Sequence, residues 1–188
     1  MRKVVLYIAM SLDGYLADKH GGVAWLAGDG SDPENPGSYP GFMDTIDTVI
    51  LGYQTYHQIV TELFPDSWVY SGKKSYVLTH KAPASTDDII FTDGDIQELI
   101  SELKSQSGKD IWLCGGASVV NQFLALGLID VFCISIIPTI LGNGIRLFSK
   151  HPEETDLQLI STRSYNGITD LVFRRRNRCV TGTGYESN

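Results

Sequence analysis

Residues 110–148 read DIWLCGGASVVNQFLALGLIDVFCISIIPTILGNGIRLF, and the order of elements in this stretch decides the fold. Residues 111–114 (IWLC) form a short apolar run, the mark of a buried strand. Gly115 and Gly116 interrupt it. Residues 117–126 follow as a helix whose apolar side carries Val119, Val120, Phe123 and Leu124, and Gly127 stands where a left-handed cap would end it. Residues 131–137 are a second apolar strand, stopped by Pro138. The stretch is therefore strand, glycine pair, helix, strand. The first N–H groups of a helix have no internal partner, and its dipole favours negative charge there. Glycine lets an anion approach the backbone without meeting a Cβ. Two readings of the junction stay open at this point, a tight turn and a phosphate site.

Working outward, residues 4–10 (VVLYIAM) read as a central strand that empties into the polar turn 11–17. Residues 18–41 are rich in glycine and hold Pro33, Pro36 and Pro40, so they read as a long loop of the kind that serves as a lid or binding loop. A short helix is expected at 40–46, a strand at 48–52 and a helix at 55–63. Residues 75–79 and 88–91 read as two more strands. Ile96, Leu99, Ile100 and Leu103 recur at helical spacing within 92–106, with Thr92 and Asp95 resembling a capping box. The pair 157–164 and 168–175 flanks Tyr165-Asn166-Gly167, a hairpin turn signal. From Asn177 the chain is polar and glycine-rich and reads as a disordered tail.

Strands and helices alternate, so the expected fold is α/β, with a mostly parallel sheet closed by a C-terminal antiparallel hairpin. One domain is expected over residues 1–176. Four strand ends carry small or polar residues: 11–17, 52–55, 79–81 and 115–118. Parallel strands end on one side, so these turns can converge on one cleft suited to a ligand with several phosphates.

Composition excludes several classes. The 188 residues are 43% hydrophobic and carry a net charge of −7, which argues against a general nucleic-acid binder. Three widely spaced cysteines form neither a disulfide framework nor a metal motif, and no metal site is expected. No stretch reaches membrane-spanning length or resembles a signal peptide, so a cytoplasmic protein without membrane partners is the reading.

The motifs SLDGYLA (11–17), VILGYQTY (49–56), SYVLTH (75–80), WLCGGASVVNQFLALGLIDVF (112–132) and PTILGNGIRLF (138–148) occur in the order found in the dihydrofolate reductase-like fold family. The chain most resembles the branch of the RibD C-terminal reductase domain of riboflavin biosynthesis, in its small stand-alone bacterial form. The resemblance spans residues 3–175 and implies a three-layer α/β/α domain and an NADPH-dependent reductase, commonly a homodimer. It implies a cis peptide at Gly115-Gly116 beside the cofactor pyrophosphate, with Gly116, Ala117, Ser118 and Val119 donating to phosphate. It places Gly52 and Thr55 at a second phosphate turn and Leu78, Thr79 and His80 at the adenosine end. Ala9, Leu16 and Ala17 fall at nicotinamide-lining positions, and Ser135 where a substrate-facing Thr is common.

Two departures narrow the reading. Tyr53 stands where the branch commonly has an Arg that binds cofactor phosphate, which leaves NADH or a flavin as alternatives to NADPH; His80 or Lys81 is placed to compensate. The helical carboxylate of true dihydrofolate reductases has no clear counterpart, and the zinc deaminase signature is absent. Asp13 is the candidate for substrate contact or proton relay, against the alternative of a turn-forming Asp before Gly14. Trp25 is the candidate for stacking on a heteroaromatic substrate, against that of a loop anchor. The expected activity is reduction of a pyrimidine- or pterin-like heterocycle, as in 5-amino-6-(5-phosphoribosylamino)uracil reductase. The alternatives are a nucleotide- or flavin-binding module without turnover and, with less weight, a dihydrofolate reductase or an interaction scaffold.

Overall fold

The structure, a computed structural model, describes residues 1–81, 83–149 and 154–176. Its frame is an eight-stranded sheet with the order β5-β4-β3-β6-β1-β7-β10-β9. The strands are β1 (Val4–Ser11), β3 (Ile46–Gly52), β4 (Lys74–Leu78), β5 (Ile89–Thr92), β6 (Asp110–Gly115), β7 (Val131–Ile137), β9 (Leu157–Tyr165) and β10 (Ile168–Arg175). The six from β5 to β7 pair in parallel, and β10 runs antiparallel to both β7 and β9. The continuous apolar runs at 4–6, 49–51 and 111–113 are buried because these strands are covered on both faces.

One face packs under α3 (Ile96–Ser105) and α4 (Ala117–Ala125), with Leu6, Ile50, Leu113, Ile100, Leu103 and Phe123 at its centre. The opposite face carries α1 (Tyr39–Met43) and α2 (Tyr53–Gln58), the latter running on as a wider turn through Ile59–Leu63. Its core is aromatic. Phe42 stacks on Tyr7 with ring centres 4.2 Å apart, and Trp112 meets Phe42 edge-on at 5.5 Å. These are the three layers expected of the dihydrofolate reductase-like fold.

Several expectations are corrected. The capping residue of α3 is Asp95 itself, which accepts from the Gln97 and Glu98 amides at 2.7 and 3.0 Å; Thr92 belongs to β5. The helix expected at 40–46 ends at Met43, because Ile46 is taken into β3. The turn 11–17 contains a strand, β2 (Tyr15–Ala17), which pairs antiparallel with β8 (Ile145–Arg146). No peptide bond among the described residues is cis, so the bond expected at Gly115-Gly116 is trans. The turn is made instead by positive φ at both glycines, +133° and +56°. The tail from residue 177 lies outside the described residues. Among the described residues no helix is long and apolar enough to cross a membrane.

Candidate functional site

The sequence-predicted positions fall on consecutive strands along one edge of the sheet. Leu78 ends β4 and pairs in register with Gly52, the last residue of β3. Gly115 ends β6, the next strand. Ala9 on β1 pairs with Ser135 on β7, and Ser135 pairs with Asp170 on β10. With about 4.8 Å per strand, the line from Leu78 to Ala9 covers about 14 Å.

The two glycine turns meet. A Cβ on Gly52 would lie 3.0 Å from the Val119 Cγ2, and one on Gly116 would lie 3.1 Å from the Thr55 Oγ1. The N-termini of α2 and α4 are thus held side by side, with glycine at each contact. The first amides of α4, at Ala117, Ser118 and Val119, have no partner within the helix. A groove of about 420 Å³ opens from Ala117 and Ser118 along Asn121 and Gln122, with Arg146 on its flank. Arg146, which the sequence reading did not single out, lays its guanidinium over the Tyr15 ring at 4.8 Å. At the β4 end, Thr79 bonds through its amide to Thr92, and its hydroxyl accepts from the Lys81 amide at 3.0 Å. His80 is exposed. Lys81 extends over the Tyr53 ring with its ammonium 4.3 Å from the centre. A cation therefore stands beside the second turn, supplied by the neighbouring strand. Glycine contacts, unpaired helix amides and flanking cations fit a phosphate-rich dinucleotide.

The structure ties Asp13 into its own turn and the facing loop. Its carboxylate accepts from the Ser11 hydroxyl at 2.6 Å and from the amides of Leu141 and Gly142 at 3.1 and 2.7 Å. The Ser11 bond, followed by these amides, lowers its pKa from 3.8 to about 2. It stays an anion at neutral pH and clamps the 138–144 loop beside the turn, which favours the turn-forming alternative. Leu16 packs against the core under α3 and α4, and Ala17 is buried in the β2–β8 ribbon. Trp25 sits in a short helical turn, Ala24–Ala27, that lies against β7, and its indole donates to Gly22 at 3.2 Å. This contact ties Trp25 into the loop.

Ser135 leads to a group the sequence reading missed. Its hydroxyl donates to Asp170 at 2.6 Å, and Asp170 is only 5% exposed. The Ser38 hydroxyl donates to the other oxygen at 2.5 Å, and the Tyr165 hydroxyl donates to the first at 3.3 Å. Tyr7 bonds to Ser38 at 2.8 Å, and burial raises the Tyr7 pKa to about 12. The loop covering this cluster is fixed by the β9–β10 turn. Asn166 donates to Ala27 at 2.9 Å and accepts the amides of Asp29 and Asp32 at 3.1 Å. Cys114 and Cys133 are free, and burial raises both thiols to about 11, which leaves them unreactive at neutral pH.

The family described as the RibD C-terminal domain matches residues 2–173. The uncharacterized protein YwjB of Bacillus subtilis (strain 168) is 38% identical over 177 residues, covering 93% of this chain and 98% of its own. A solved structure of a Shewanella sp. PV-4 protein ascribed to riboflavin biosynthesis superposes with a TM-score of 0.80 at 27% identity, covering 94% of this chain and all of that one. The diaminohydroxyphosphoribosylaminopyrimidine deaminase/5-amino-6-(5-phosphoribosylamino)uracil reductase of Thermotoga maritima shares the fold, with a TM-score of 0.69 at 16% identity. The match covers 93% of this chain and 57% of that protein.

Proposed function

The chain belongs to the RibD C-terminal domain family, and on that premise we propose that it is an NADPH-dependent reductase of a pyrimidine- or pterin-like heterocycle. The observation that carries this reading is the contact between the two glycine turns, Gly52 to Val119 and Gly116 to Thr55, at the end of a parallel sheet. The cofactor supplies a hydride when bound. The residues of this chain do the rest. The α4 amides and Arg146 take the pyrophosphate, and Gly52 and Gly116 keep the backbone open to it. Leu78, Thr79 and His80 flank the adenosine end. Lys81, steadied by Tyr53, offers a cation that favours NADPH over NADH. Ala9 forms the floor at the nicotinamide position, and Ser135, one strand away and bonded to Asp170, lies beneath the substrate position. Asp13 keeps the 138–144 loop in place over the first turn, where the loop helps exclude water.

The same reading extends to a homodimer in the cytoplasm. Leu12, Ile140, Ile145 and Phe148 are exposed apolar side chains on the SLDGYLA and PTILGNGIRLF motifs, and a second copy would cover them. Sedimentation at micromolar concentration tests the dimer, and a monomer would remove that part of the proposal.

The experiment for the activity follows the nicotinamide absorbance of NADPH over a panel of aminouracil and pterin compounds. Steady consumption with one of them is the expected result. Saturable NADPH binding without consumption across the panel would instead favour a binding module of the same fold.

A further inference from the structure

Arg146 is a cation without a counter-ion. Among the described residues the ion pairs are Arg2–Asp47 and Lys104–Asp130, and neither involves it. Its guanidinium lies over the Tyr15 ring, 4.8 Å from the ring centre. Stacking of this kind leaves the N–H donors in the guanidinium plane free to meet an anion. The side chain is exposed and lines the same groove of about 420 Å³ as Ala117 and Ser118 at the start of α4. An exposed arginine has many rotamers, and ordering it on binding costs affinity. Arg146 sits on β8, a strand of two residues that is too short to fix itself.

Asn121 supplies what β8 lacks. It lies on α4 one turn beyond Ala117 and reaches the residues that follow β8. Its amide nitrogen donates to the Ala117 carbonyl at 2.6 Å and to the Leu147 carbonyl at 2.9 Å. Its amide oxygen accepts from the Ser149 amide and the Ser149 hydroxyl, both at 3.0 Å. A side-chain amide has two N–H donors and two lone pairs, and all are spent. Asn121 therefore lines the groove but has nothing left to offer a ligand there. Between these anchors Leu147 donates its amide to Gly14 and buries its side chain completely. Arg146 is thus held from two sides, by its ring partner Tyr15 on β2 and by the Asn121 clamp on α4.

We propose that Asn121 is a positioning residue that holds Arg146 poised beside the N-terminus of α4, so that helix and cation receive an anionic ligand as one preformed unit. The proposal rests on the reading that this ligand is the pyrophosphate of a dinucleotide. In it α4 acts on the ligand twice. Its first amides act directly, and Asn121 acts through its grip on 147–149, which sets the place of the arginine.

The test is a double-mutant cycle on the full chain with Asn121→Ala, Arg146→Ala and the two combined. Each protein is titrated with NADPH by cofactor fluorescence and with inorganic pyrophosphate by calorimetry at low ionic strength. Arg146→Ala is expected to weaken both ligands about ten-fold, the loss of one charge-assisted contact. Asn121→Ala should weaken them several-fold in the wild-type background and cause no further loss in Arg146→Ala, because its effect passes through the arginine. A merely structural role would lower affinity in both backgrounds. Amide-exchange protection at Ser149 should fall in Asn121→Ala and persist in Arg146→Ala. Ser149→Ala removes one tether from outside the helix and should show a smaller loss with the same dependence on Arg146, which keeps the question answerable if Asn121→Ala does not fold. Losses that add in the combined variant, or unchanged affinity in either single variant, would overturn the proposal. NADPH binding alongside those results would leave the reductase reading standing. Coupled losses for pyrophosphate without NADPH binding would do the reverse, and binding of neither ligand would remove both.

Discussion

The Lys81 ammonium lies 4.3 Å above the Tyr53 ring, so a residue of the β4 end stands over the first residue of α2. Lys81 follows β4, the strand paired with β3, so a cation reaches this turn from the adjacent strand. Lys81→Ala should therefore lower NADPH affinity about ten-fold, the size of one charge-assisted hydrogen bond, and leave NADH affinity unchanged. Fluorescence titrations with the two cofactors check this. An equal loss for both would place Lys81 away from the distinguishing phosphate.

Gly116 combines a positive φ of +56° with a Cβ position 3.1 Å from the Thr55 Oγ1. Gly116→Val should strain the backbone by about 1–3 kcal/mol and push the two turns apart. The expected result is a folded protein by circular dichroism, with a modestly lower melting temperature and dinucleotide affinity reduced by at least about ten-fold. Full affinity in a folded variant would remove the turn from the site.

The Asp13 clamp has a defined pH window. Its pKa is depressed in the folded chain, from 3.8 to about 2, so the contribution of the clamp is complete above pH 3.8. It is lost as pH falls through about 2. The protection of the Leu141 and Gly142 amides, taken as exchange relative to the intrinsic rate at each pH, should fall over that interval in wild type. In Asp13→Asn that protection should already be low at neutral pH and change little with acid. Because the carboxylate is ionised at neutral pH, this substitution should not abolish a proton-transfer step with a pKa near 7.

Arg2 is buried beneath the sheet, where it pairs with Asp47, donates to Thr48 at 2.6 Å and to the carbonyls of Lys109 and Leu103 at 2.6 and 3.2 Å. Arg2→Ala removes a donor from Thr48 and the two carbonyls, while Asp47 keeps the Thr48 hydroxyl and the Lys109 amide. A loss of about 1–3 kcal/mol is expected from the denaturant midpoint, with cofactor affinity intact. The guanidinium lies at the opposite end of the strands from the glycine turns, so a large loss of binding in the folded variant would contradict this separation.

Local pattern carried the fold well where it acted alone. The apolar runs at 4–10 and 131–137 became β1 and β7, and Tyr165-Asn166-Gly167 became the β9–β10 turn. The glycine turns were also legible, because a strand ending in glycine before a helix is a local signal. What escaped depends on partners far away in the chain. The two-residue strand β8 exists only because Tyr15 and Ala17 pair with it, and Arg2 reads as a surface cation until residues 47 and 103–109 close around it. Asp170 lies in an ordinary hairpin strand. Its role appears only when Tyr7, Ser38, Ser135 and Tyr165 converge, and Ser135 was the one member with a signal in the sequence.

Whether the paired glycine turns hold a nicotinamide dinucleotide is decided by titrating the purified chain with NADPH and following cofactor fluorescence. Saturable binding in the micromolar range is expected, weakened by at least about ten-fold in Gly116→Val and about ten-fold in Lys81→Ala. No binding up to millimolar NADPH, or binding that both substitutions leave unchanged, would contradict a dinucleotide site at these turns.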